Sequence, residues 1–121
     1  MGTILAVVLG GAVIAAIAQE VPVVDGHLGP CSATFTVTGS EKKPIYDAKI
    51  EVVIRYGFMS LHKYTLQVGT NSEGKARVAG IPEKTKKPLE FRITFGQASK
   101  TVEFDPALKC SASFEVVLGD K

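Results

Sequence analysis

From Cys31 onward, apolar and polar residues alternate with a period of two, and turn residues interrupt each run. Such alternation belongs to strands that bury one face and wet the other. Cys31, Ala33, Phe35 and Val37 face one way, with Ser32, Thr34, Thr36 and Thr38 opposite. Ala48, Ile50, Val52, Ile54 and Tyr56 form the next inner face, backed by Lys49, Glu51, Val53 and Arg55. Tyr64, Leu66 and Val68 follow, then Ala76 and Val78. Leu89, Phe91, Ile93 and Phe95 make the clearest run, followed by Val102 and Phe104, and last by Ala112, Phe114, Val116 and Leu118. Between these runs lie turn signals such as Asn71-Ser72-Glu73-Gly74, where Asn and Gly tolerate positive φ. No helix-period stretch competes. The pattern predicts an all-β domain over residues 31–119, a seven-strand Greek-key sandwich.

The segment before it is different. Every charged side chain follows Gln19, and residues 1–18 are apolar and rich in small residues, ending in Ala16-Ile17-Ala18. An N-terminal hydrophobic helix is expected here, serving either as a cleaved signal peptide or as a membrane anchor. The small-x-small ending suits a signal peptidase. The absence of Lys or Arg from the segment, and a length of roughly 18 residues, suit an anchor. Residues 19–30, with Pro22, Gly26, Gly29 and Pro30, read as a linker. Either reading places the rest of the chain outside the cytoplasm, secreted, periplasmic or tethered, where paired cysteines are oxidised.

The chain has two cysteines, Cys31 and Cys110. Their even number and the expected compartment point to one disulfide, the alternative being two buried free thiols. A bridge requires Cα atoms within about 7 Å. Cys31 opens the first strand and Cys110 precedes the last, so these strands would pair in parallel. Closing so long a loop would stabilise the domain by roughly 4 kcal/mol.

Net charge is +2 over 121 residues, with both signs interspersed. No basic stripe marks a nucleic-acid partner. Lys84, Lys86 and Lys87 read as a solvated loop, and a membrane partner is expected only through an uncleaved N-terminal segment. The best surface candidate is the loop after Tyr56. Phe58, Met59, Leu61 and His62 lie at or near a hairpin tip, where grouped apolar residues mark an interaction site.

The run Pro44-Ile45-Tyr46-Asp47-Ala48-Lys49-Ile50-Glu51-Val52, the turn Thr70-Asn71-Ser72-Glu73-Gly74 and the ending Gly80-Ile81-Pro82 resemble the carboxypeptidase regulatory-like domain of the transthyretin-like (prealbumin-like) sandwiches. The resemblance implies a non-catalytic extracytoplasmic module for protein or carbohydrate contact or structural support. The alternatives are a small hydrolase on the same scaffold and a self-associating subunit of a surface assembly. The transthyretin-like hydroxyisourate hydrolases use histidines and a C-terminal Tyr-Arg-Gly-Ser. This chain ends Val117-Leu118-Gly119-Asp120-Lys121, and its histidines are His27 and His62. No catalytic residues, cofactor or metal ligands are therefore expected, and the chain is expected not to be an enzyme.

Overall fold

The computed structural model describes residues 20–57, 59 and 61–119, and all its long elements are strands. They are β1 (Val23–Asp25), β2 (Cys31–Thr38), β3 (Lys49–Tyr56), β4 (His62–Gly69), β5 (Lys75–Ile81), β6 (Leu89–Phe95), β7 (Ala98–Phe104) and β8 (Ser111–Val117). Two four-stranded sheets form a sandwich, one ordered β1-β5-β2-β8 and the other β4-β3-β6-β7. The expected N-terminal helix lies outside the described residues.

The alternating faces meet between the sheets. Ala33, Phe35 and Val37 of β2, Ile50, Val52 and Ile54 of β3, and Phe91 and Ile93 of β6 are essentially inaccessible to water. Phe35 and Phe114 from the first sheet and Phe91 and Phe104 from the second form a cluster of rings, with centroids 4.9 Å apart for Phe35–Phe91 and 6.0 Å for Phe104–Phe114. Tilted and edge-on pairs of this kind contribute about 0.5–1.5 kcal/mol beyond their buried area.

β2 and β8 run parallel in unbroken register from Ser32↔Ser111 to Thr38↔Val117. A Cys31–Cys110 disulfide closes their starting ends, with Cα atoms 4.6 Å apart and the two positions 79 apart in sequence. The Ser32 amide donates to the Cys110 carbonyl at 2.8 Å, extending the ladder to the bridge.

Two expectations change. The sandwich has eight strands among the described residues, because Val23–Asp25, inside the segment read as a linker, pairs in parallel with Arg77–Ala79 of β5. The chain then crosses close over Gly80. There φ is +69°, and a Cβ would run into the Asp25 carboxylate and the His27 amide. The second change concerns Tyr64 and Phe95, both expected inward and both exposed. Alternation assigns them to the correct face of their sheet, but each lies where the opposing sheet no longer covers it.

The β3 entry is held by a buried hydroxyl. Thr70 Oγ1 accepts from the Ala48 amide at 2.9 Å and donates to the Ile45 carbonyl at 2.6 Å. Next to it, Asn71 Oδ1 accepts from the amides of Glu73 and Lys75, closing the β4–β5 turn. This explains a buried Asn at that corner, since each of its neighbours' amides would otherwise lack a partner.

Candidate functional site

β3 and β4 pair over their full length, from Lys49↔Gly69 to Tyr56↔His62. The β3–β6 ladder is shorter and stops at Val52↔Phe91. Past Leu89, where β6 begins, the ribbon continues as a two-stranded arm in which Arg55 and Tyr56 pair with Lys63 and His62. In the turn between its strands φ is +84° at Gly57 and +56° at Met59. Near the tip, the rings of Tyr56 and His62 stack with centroids 5.3 Å apart. A Cβ on Gly57 would lie 2.6 Å from His62 Cδ2, so a larger residue there would displace the imidazole.

Met59 is 66% exposed, Leu61 73% and Tyr64 41%, so the arm presents apolar surface to water. The sequence candidates Met59, Leu61 and His62 are thus brought together at one end of the domain. Phe58 lies outside the described residues. His62 meets Tyr56 rather than an acid or a second histidine. Among the described residues, no group of three or more His, Cys, Asp or Glu side chains is arranged to hold a metal ion.

The other face of the ribbon forms one side of a shallow trough of about 730 Å³ on the outer face of the second sheet. Its floor includes Glu51 and Val53 of β3, Arg92 of β6 and Thr101 of β7. Arg55 and Lys63 edge it on the arm, and Thr85, Lys86, Lys87 and Pro88 on the β5–β6 loop. The sequence reading took that loop as merely solvated, because nothing local tells which strand residues it faces. Its signal, visible only with the sheet assembled, is that Arg55 and Lys63 sit directly opposite each other in the ladder. Like charges so placed destabilise a strand pair.

No protein-family model matches the sequence, and no curated protein matches it. Solved structures share the fold. The dioxygenase domain of a dioxygenase–carbohydrate-binding fusion from Streptomyces sp. SirexAA-E aligns with a TM-score of 0.55 at 14% identity, covering 87% of this chain and 93% of that one. Catechol 1,2-dioxygenase from Pseudomonas arvilla C-1 aligns with a TM-score of 0.55 at 12% identity, covering 83% of this chain and 58% of that one. The Bacillus anthracis TIE protein aligns with a TM-score of 0.51 at 14% identity, over 75% of this chain and 16% of that one. The chain thus spans little more than half of the catechol dioxygenase and a small part of the TIE protein. These are dioxygenase and TIE-protein folds rather than carboxypeptidase regulatory-like domains. Identities this low establish the shared fold alone.

These likenesses correct one expectation. Absence of catalysis was inferred from the missing hydrolase motifs and from the resemblance to a non-catalytic module. The same sandwich carries dioxygenases, so the fold is no argument that the chain is not an enzyme. Function has to be argued from the site.

Proposed function

We propose that the chain is an exported binding module, secreted, periplasmic or tethered by its N-terminal segment, which contacts a partner protein through the tip of the β3–β4 arm. The scaffold is read as a Greek-key sandwich of the transthyretin-like group, in the manner of a carboxypeptidase regulatory-like domain. The oxidised cysteine pair supports an extracytoplasmic site of action.

One observation carries the contact surface: Met59 and Leu61 stand in water at the end of a ribbon whose strands pair from Lys49↔Gly69 to Tyr56↔His62. Burying a Leu or Met side chain contributes about 1.5–3 kcal/mol. An arm that presents two of them side by side gains that energy when a partner covers them. The test is the double substitution Met59→Ser and Leu61→Ser in the full-length protein. Loss of the partner-containing complex from native extracts, with the melting temperature preserved, is the expected result. An unchanged complex refutes the assignment. Sedimentation of the purified protein alone identifies the partner as a second copy if a concentration-dependent dimer disappears in the variant.

A further inference from the structure

The trough on the outer face of the second sheet has an electrostatic imbalance that the fold itself does not resolve. Arg55, Lys63, Lys86, Lys87 and Arg92 line it, against Glu51 and Glu90. Glu51 stands opposite Arg92 in the ladder, so these two offset each other. The remaining four cations lining the trough face Glu90, which itself stands opposite Glu103 of β7 in the ladder. None of the four forms an ion pair among the described residues, where the one such pair is His27 with Asp25. The Arg55–Lys63 juxtaposition costs strand-pairing energy, and the Lys86–Lys87 loop brings two more cations to the same opening.

We propose that this trough binds an acidic polysaccharide, a chain of carboxylated sugars lying across the sheet. The proposal concerns the face of the ribbon opposite Tyr56, His62 and Tyr64 and does not depend on the arm tip. A carboxylate accepts two parallel hydrogen bonds from an arginine fork, as Arg55 offers, and single bonds from lysine. The floor is suited to the rest of such a ligand. Glu51 and Glu90 accept hydrogen bonds from sugar hydroxyls, Thr101 donates or accepts, Thr85, whose hydroxyl donates to the Lys87 carbonyl, accepts, and Val53, 42% exposed, meets the apolar edge of a ring. A polyacidic peptide meets the same cations but carries no row of hydroxyls for Glu51, Glu90 and Thr101, so it is the competing ligand of the test. The trough runs from Lys63 on β4 to Thr101 on β7. Three strand spacings make about 14 Å, more than one sugar ring, and its shallow form suits a polymer.

Titration calorimetry of the full-length protein with polygalacturonate, dextran and polyglutamate at low ionic strength tests this. The expected result is binding to polygalacturonate and none to dextran, with affinity falling as salt rises. Lys86→Glu with Lys87→Glu, both exposed loop positions, should weaken binding about tenfold or more with the circular dichroism spectrum unchanged. Arg55→Lys should weaken it less, retaining charge but losing the fork. Failure to bind polygalacturonate overturns the proposal. So does equal affinity for polyglutamate, which would make the trough a peptide or general polyanion surface. Undiminished binding by the double lysine variant overturns the location.

Discussion

Reduction of the Cys31–Cys110 bridge should lower the melting temperature by about 20 °C. The bridge ties together positions 79 apart, and releasing a loop of that size returns roughly 4 kcal/mol of chain entropy to the unfolded state. A domain of about 100 residues unfolds with an entropy near 0.2 kcal/mol/K, which converts that energy into the stated shift. The folded state itself should change little. β2 and β8 remain joined along seven register pairs from Ser32↔Ser111 to Thr38↔Val117, and the phenylalanine cluster does not involve either sulfur. Differential scanning calorimetry with and without dithiothreitol is the assay, accompanied by mass spectrometry to verify the thiol state. Reduction also deletes no atom, so no side-chain volume is lost at buried Cys31. A shift under about 5 °C would refute the reasoning, because the cross-link would then not be restricting the unfolded chain. A reduced protein that loses its β-sheet spectrum at room temperature would refute it from the other side.

Two substitutions probe how the sandwich is fastened. Gly80→Ala should destabilise by about 2–3 kcal/mol, from a strained left-handed conformation and from collision with the Asp25–His27 crossing. Hydrogen exchange should accelerate at Gly26 and Leu28, whose amides donate to the Ala79 and Gly80 carbonyls. Thr70→Val should cost about 1–3 kcal/mol in chemical denaturation, because it leaves the buried Ala48 amide without its acceptor. Denaturation curves equal to the wild type would show that water replaces the hydroxyl.

The buried stripe was legible wherever a strand is covered by the opposite sheet along its whole length. Phe35, Ile50 and Phe91 all lie on predicted inner faces. Tyr64 and Phe95 fall outside that rule, since period two reports which face a residue occupies and not how far the partner sheet reaches. β1 was missed because three residues, Val23–Asp25, are too few to display a period. Its partner is also remote in sequence, and Gly80, the sign of the close crossing, reads in sequence only as part of the Gly80-Ile81-Pro82 strand ending. The Cys31–Cys110 pairing and the parallel β2–β8 ladder were legible because two cysteines leave one intramolecular connectivity. The arm tip was legible in part: Met59 and Leu61 stood out as grouped apolar residues in a hairpin. The trough was not. Its cations come from three strands and a loop, and only the assembled sheet places Lys86 and Lys87 across from Arg55 and Lys63.

The arm reading is tested most directly by photo-crosslinking from position 61 in the protein's native surroundings, with position 108 as the control. Leu108 is 84% exposed, in the turn after β7, the strand at the opposite edge of the second sheet from β4. The account predicts discrete crosslinked species from position 61 and none from 108. Equal yields from both sites, or none from 61, would mean that the exposed apolar tip is not a contact surface.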